Sequence, residues 1–306
     1  MDAHCFGRRD ILRASAALGL LAASPVLRAD SPSGLLTRKI PSTGEALPVI
    51  GAGTSGSFEV EAGSAQYQQL KEVLSVFFRG GGRVIDTSPN YGGADAILGQ
   101  LLEEGGWHRQ CFIATKIAAD SRESAVSQWA ESLKSLRTDK VDLLQIHNLR
   151  DWQRQLPYAQ ELKKQGKTRY VGITHYLASG QDAVADILRK HPLDFIQINY
   201  SVNSPEAARE LLPLAAEKGV AVLINRTFDD GRLFAQVKDQ ALPSWAAEVG
   251  ISSWAQMFLK FALSHRAVTA VIPATGRPDR QLDQLKAGTG PLLSDAQQKA
   301  LIQRFA

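Results

Sequence analysis

The sequence predicts an α/β protein of the (β/α)8 TIM-barrel class, with an N-terminal hairpin closing the bottom and an insertion after strand 7. Three observations carry that expectation. Short apolar or β-branched runs alternate with longer amphipathic ones from residue 48 onward. The short runs are nearly continuous in apolar residues, as strands covered on both faces require. Their ends also recur regularly: with Thr87, Lys116, His147, Thr174, Asn199, Asn225 and Ile272 as strand ends, the intervals are 29, 31, 27, 25, 26 and 47 residues. A strand with its crossover helix needs ~30 residues, and eight such units total ~250. A doubly wound open sheet shares the alternation, usually with fewer strands and a break in the pattern.

In chain order, residues 35–50 carry a turn at Pro41–Gly44 between short apolar runs and read as the closing hairpin. The strand candidates follow: LPVIG (47–51), RVIDT (83–87), CFIATK (111–116), VDLLQIH (141–147), TRYVGIT (168–174), DFIQIN (194–199), VAVLIN (220–225) and AVTAVI (267–272). Between them lie helical repeats. Val126, Ala130, Leu133 and Leu136 recur at three- and four-residue steps in 121–137, as do Val184, Ile187 and Leu188 in 178–190. Gly166 and Gly219 stand where helices should stop. The 47-residue interval holds additional helix-like sequence, the predicted insertion. Residues 31–306 therefore read as one barrel domain.

Residues 1–30 read as a targeting segment. Arg8-Arg9 before Asp10-Ile11-Leu12 resembles the twin-arginine export signature, and the apolar stretch Ala14–Leu27 is 14 residues long, suited to a signal and short for a membrane span. The reading is an exported, periplasmic protein with a transient engagement of the twin-arginine machinery and a boundary near residue 30. A disordered extension or a retained anchor are the alternatives, with a cytoplasmic location if the segment is not a working signal. No run of about 18 apolar residues calls for stable membrane insertion. The net charge of +4 is too mild and dispersed to argue for a nucleic-acid partner. Of the two cysteines, Cys5 lies in the leader, so Cys111 alone can form no internal disulfide after cleavage.

Gly51-Ala52-Gly53-Thr54-Ser55-Gly56 is a literal G-x-G-x-x-G after a strand. The dinucleotide fingerprint also needs a helix opening at the third glycine and an acid ~20 residues on. Residues 57–63 make a poor helix start and Asp86 lies 35 residues past Gly51, so the glycines are expected to bring backbone close to a ligand instead.

In such barrels the C-terminal strand ends line the active site. Asp86, Tyr91, Lys116 and His147 fall at or just beyond three successive strand ends. Singly, each has a plain role as a cap, a loop aromatic or a solvated strand end. Together they suit proton donation to a carbonyl under reduction. A phenol titrates near ~10; an adjacent ammonium is expected to lower that value, a carboxylate keeps the ammonium charged, and a neutral imidazole hydrogen-bonds the substrate oxygen. The hydride must come from a cofactor.

At these residues the sequence resembles the aldo-keto reductase superfamily, from about Thr43 to Ser294. The likeness is carried by Gly51–Thr54, VIDTSPNYGGAD (84–95), Thr115-Lys116, LLQIHN (143–148), YVGIT (170–174), QINYS (197–201) and VIPATGRPDR (271–280). It implies an NADP(H)-dependent oxidoreductase acting on an aldehyde, a ketone or the corresponding alcohol, with Asp86, Tyr91, Lys116 and His147 as catalytic tetrad and Tyr91 as general acid. It also implies cofactor contacts. Gln197 matches the glutamine that meets the nicotinamide carboxamide, Thr275 and Arg280 the residues at the adenosine 2′-phosphate, and Asp283 and Gln284 those at the adenine. Gly53 and Thr54 belong to the same expected surface, and Arg277 is a second candidate for the phosphate.

The pattern departs from the family in places. The usual Ser-Asn is Thr174-His175, the nicotinamide-stacking aromatic is replaced in Asn225-Arg226, and a frequent lysine before Thr275 is Ala274. Arg226 is expected to stack in the aromatic's place. No long C-terminal substrate loop follows Ser294. No metal site is visible, since His108 and Cys111 lack partners, and no nucleophile elbow is present. The alternatives are a nucleotide-binding regulatory or sensor protein with little turnover and an NAD-dependent sugar or polyol dehydrogenase.

Overall fold

The computed structural model describes Met1 and residues 34–305. Apart from Met1, the targeting segment expected over residues 1–30 lies outside the described residues.

The chain opens with an antiparallel hairpin, β1 (Thr37–Lys39) and β2 (Ala46–Pro48). It continues as β3 (Ala52–Gly53), α1 (Ala65–Arg79), β4 (Val84–Asp86), α2 (Ala94–Gly105), β5 (Phe112–Ile117), α3 (Arg122–Ser135), β6 (Val141–Ile146), α4 (Trp152–Lys164), β7 (Thr168–His175), α5 (Gln181–Lys190), β8 (Phe195–Asn199), α6 (Leu211–Glu217) and β9 (Ala221–Asn225). The insertion supplies α7 (Arg232–Gln236) ahead of α8 (Trp254–Ser264); β10 (Ala270–Val271), α9 (Pro278–Lys286) and α10 (Asp295–Phe305) complete the described chain. Strands β3 to β10 form one parallel sheet in sequence order. Bridges Ile50 to Val271 and Gly53 to Ala274 join its first and last strands and close the barrel.

Local chemistry places the helices. Ser64 caps α1 by accepting from Tyr67 N, Ser121 and Ser124 form a reciprocal capping box on α3, and Pro278 opens α9 where its missing N–H costs nothing. Gly166 and Gly219 end α4 and α6 with positive φ of 72° and 66°.

Two expectations are corrected. LPVIG reads as one strand in the sequence, but Leu47 pairs with Arg38 in the hairpin while Ile50 bridges Val271 in the barrel; one apolar run serves two partners. On α3 the buried stripe is Ala125, Trp129, Ser132 and Leu136, and Val126 is exposed. A large tryptophan and a buried serine set that face, one residue off the aliphatic repeat.

The two-residue strand period splits the core. Val84, Phe112, Ala114, Leu143, Tyr170, Phe195, Ala221, Leu223, Ala270 and Ile272 pack inside the barrel, with Ile40 and Leu47 of the hairpin plugging one end. Thr43 and Glu45 pin that plug through hydrogen bonds of 2.8 and 2.9 Å to the Tyr170 hydroxyl. Outward residues such as Ile85, Ile113, Leu144, Ile196 and Ile224 join the larger core beneath the helices.

Gly51 and Gly53 serve this closure. A Cβ on Gly51 would sit 2.9 Å from the Val84 carbonyl, and one on Gly53 2.9 Å from that of Ile272. The glycine run is thus first a strand-packing device, with Gly53 also reaching the cavity. Gly99 does the same between helices: a Cβ there would lie 2.1 Å from the Ser135 carbonyl. Gly99→Ala should lower the unfolding free energy by about 2 kcal/mol or more in urea titration, through overpacking against rigid backbone. Helix propensity alone would raise it by about 1 kcal/mol, so the sign decides.

Candidate active site

On five strands the residue two beyond the last inward apolar position is polar: Val84 gives way to Asp86, Ala114 to Lys116, Leu143 to Gln145, Phe195 to Gln197 and Leu223 to Asn225. Register aligns this layer, with Lys116 opposite Gln145 on β5 and β6 and Thr174 opposite Gln197 on β7 and β8.

Asp86 is its hub. Its Oδ2 accepts from Lys116 Nζ at 2.5 Å, and its Oδ1 accepts from Gln145 Nε2 at 3.0 Å and Gln197 Nε2 at 2.7 Å. Lys116 also donates to the Thr87 carbonyl at 2.8 Å. Its side chain is 1% exposed, so the ion pair is fully desolvated. Burial opposes the ammonium's charge, but Asp86 and Tyr91 outweigh it and hold the lysine above its ordinary value.

Tyr91 stands in the loop after β4, its ring centre 5.1 Å from Lys116 Nζ and 5.7 Å from the His147 ring, edge to face. The expected lowering of the phenol is only part of the balance. Burial raises it, Lys116 lowers it, Asp86 and Asp95 raise it, and the net direction is upward. His147 opens a short turn directly after β6, with Nδ1 3.0 Å from the Ser88 hydroxyl. Burial, reinforced by Lys116 and Arg150, pushes the imidazole down to about 3, so it is neutral at ordinary pH.

Above this layer opens a cavity of about 730 Å³. Of the residues singled out from sequence, Gly53, Thr54, Asp86, Tyr91, His147, Thr174, Gln197, Arg226 and Arg280 line it, with Lys116 held against Asp86. Others lie outside the lining. His175 hydrogen-bonds the Leu177 backbone, and the Thr275 hydroxyl accepts from Arg277 N at 3.2 Å. Asp283 accepts from Ser253 and Gln256, each at 2.6 Å, Gln284 is buried, and Arg277 pairs with Asp279.

Arg226 has a positive φ of 52°, pairs with Asp229 and Asp230, and lays its guanidinium 5.3 Å from the Tyr176 ring centre. Tyr176 therefore brings an aromatic to the wall from the end of β7, although none stands at the end of β9. Sequence reasoning missed Tyr176, Gln145, Ser88 and Phe228. Gln145 had a signal: it lies two residues before His147 on a strand and so shares its face. Among the described residues no cluster of three or more His, Cys, Asp or Glu could hold a metal.

Comparison with known proteins places this arrangement. The model of the Aldo/keto reductase family matches residues 49–303. The Aldo-keto reductase YhdN of Bacillus subtilis (strain 168) is 27% identical over 216 residues, 66% of this chain and 64% of that protein, so under two thirds of its length is spanned. The L-galactose dehydrogenase of Arabidopsis thaliana is 30% identical over 225 residues, 68% of this chain and 69% of that protein. For the fold, an aldo-keto reductase from Klebsiella pneumoniae, solved in complex with NADPH, superimposes with a TM-score of 0.74 at 22% identity, covering 89% of this chain and 96% of that one. The match of the family model over most of the barrel, with a desolvated Lys116–Asp86 pair beside Tyr91 and His147 at its mouth, means that the chain belongs to the aldo/keto reductase family.

Proposed function

We propose that the protein is an NADP(H)-dependent oxidoreductase that reduces an aldehyde or ketone, or oxidises the corresponding alcohol, with Tyr91 as general acid. The observation that carries this is the placement of a 1%-exposed ammonium between a carboxylate at 2.5 Å and a phenol ring at 5.1 Å, beneath an open polar cavity.

The residues present fit a dinucleotide. Among the described residues, Asn225 Oδ1 is buried without a partner at the cavity, and Gln284 Oε1 is likewise unpartnered on α9, outside the lining. Arg280, on the first turn of α9, offers a guanidinium beside a helix N-terminus for a phosphate. Thr174, Gln197 and Asn225 would hold the carboxamide end, and the Arg226–Tyr176 stack would flank the ring. When bound, the cofactor supplies the hydride.

The chain's own groups handle the proton. The Tyr91 phenol gives its proton to the carbonyl oxygen as negative charge develops there, and Lys116 stabilises the phenolate left behind. Asp86, fixed by three donors, keeps Lys116 charged and in place. Neutral His147 can hydrogen-bond the same substrate oxygen and orient it.

Hydride exchange between NADPH and a panel of small aldehydes tests the reading. Tyr91→Phe should lower kcat at least about 100-fold, and equal slow rates for variant and wild type would overturn it. A sugar or polyol dehydrogenase using NAD is the second reading, favoured by the asparagines 90, 148 and 225 on the cavity wall. Arg280→Ala separates the two. It should raise KM for NADPH while sparing NADH if the guanidinium meets a 2′-phosphate.

His147 predicts a pH signature. Its folded-state value near 3 lies below the ordinary ~6.5 of an unfolded histidine, so only the unfolded chain takes up the proton as pH falls from 6.5. Stability is therefore lost on acidification in that window. His147→Gln should lose less of it in denaturant titrations between pH 6.5 and 4.

Arg8 and Arg9 support export of the folded protein with its nucleotide already bound, after which two substrates would recycle the cofactor in place. Arg8→Lys with Arg9→Lys should keep the protein in the cytoplasm on fractionation, and unchanged export would contradict a twin-arginine route.

A further inference from the structure

One buried carboxyl group has no part in the chemistry described so far. Asp95, in the first turn of α2, is 5% exposed. Its Oδ1 accepts a hydrogen bond from the Thr87 hydroxyl, and its Oδ2 has no partner among the described residues. Burying a carboxyl with one oxygen unsatisfied is costly, so stability alone is a poor reason for it; an amide or an apolar side chain would fill the space at lower cost. Thr87, its one hydrogen-bond partner, joins the reacting groups at several points.

The Thr87 carbonyl holds Lys116 Nζ at 2.8 Å. The Thr87 hydroxyl, having given its proton to Asp95, accepts from the Thr54 hydroxyl at 2.9 Å. Thr54 in turn donates its backbone N–H to the Asp86 carbonyl at 3.0 Å and lines the cavity. A hydroxyl has one proton, so an acceptor-only carboxylate at the end of the chain sets the direction of both bonds. With its proton committed to Thr87, the fully buried Thr54 hydroxyl is held in one orientation beneath the cavity wall.

We propose that Asp95 is a positioning residue for the proton-transfer pair: through Thr87 it fixes the carbonyl that holds the Lys116 ammonium and orients the Thr54 hydroxyl beneath the cavity wall. It rests on the reading of Tyr91 and Lys116 as that pair. Asp95 also contributes charge. The charged groups acting on Tyr91 are Lys116, Asp86 and Asp95, with His147 neutral at its edge, and both carboxylates hold the phenol up while Lys116 pulls it down. Burial raises Asp95 itself, opposed by Thr87 and Lys116. In the alkaline range where a phenol titrates, Asp95 is nonetheless ionised.

The test uses Asp95→Asn, which keeps an acceptor for Thr87 but removes the charge, and Thr87→Val, which cuts the link, with Thr87→Ser as the conservative control. Two readouts are taken on the full-length protein. The first is titration of the Tyr91 phenol by NMR in protein labelled with ¹³C-tyrosine, assigned with Tyr91→Phe and needing no cofactor. The second is kcat and KM for NADPH-dependent aldehyde reduction. Asp95→Asn should move the phenol's titration to lower pH. Thr87→Val should cost about tenfold in kcat with little change in the aldehyde KM, Thr87→Ser should recover most of that loss, and adding Asp95→Asn to Thr87→Val should cost much less than the separate effects combined. An unmoved phenol titration in a folded Asp95→Asn protein overturns the proposal, as does a Thr87→Ser variant no better than Thr87→Val. If wild type shows no turnover, the oxidoreductase reading fails, and the titration still decides the role of Asp95.

Discussion

The ion pair between Lys116 and Asp86 is the constraint around which the mouth of this barrel is arranged. Two charges held out of water attract strongly, yet their desolvation consumes much of that gain, and removal of either partner alone typically costs about 3–5 kcal/mol. Such a pair is weak evidence for stability and better evidence for a task. Here further hydrogen bonds hold both charges: Asp86 accepts from two amides besides the lysine, and Lys116 also donates to the Thr87 carbonyl. The ammonium is thereby fixed where it acts on Tyr91.

Electrostatics at the phenol are a contest. Burial, Asp86 and Asp95 favour the protonated form, while Lys116 favours the phenolate. A group whose net position is high keeps its proton until a stronger base forms next to it, and an alkoxide developing on a carbonyl carbon's oxygen is such a base. The neutrality of His147 fits the same scheme, since a second cation there would compete for the phenolate.

The barrel and the ionisable members of the site were legible because their signals are strong. Buried parallel strands leave continuous apolar runs, and Asp86, Lys116 and His147 interrupt those runs at their ends. Gln145 obeys the same geometry but passes for an ordinary polar residue; its role emerges only when Asp86 is seen to need a donor at that height. The chain from Thr54 through Thr87 to Asp95 joins residues 54, 87 and 95 through a strand closure that no local pattern encodes. The glycine run at 51–56 misleads for the same reason, because the carbonyls its first two glycines pack against come from Val84 and Ile272, both far away in sequence. Tyr176 follows β7 directly, where no local pattern singles it out, and its place on the cavity wall beside Arg226 emerges only from the fold.

The central claim is that the Lys116 ammonium stabilises the Tyr91 phenolate. The most direct measurement is the pH at which the Tyr91 ¹³C resonance titrates in wild type and in Lys116→Met, a substitution of similar length without charge. The account predicts titration at distinctly higher pH in the variant, because the pull that opposes burial and two carboxylates has been removed. Titration at the same pH in both proteins would contradict it.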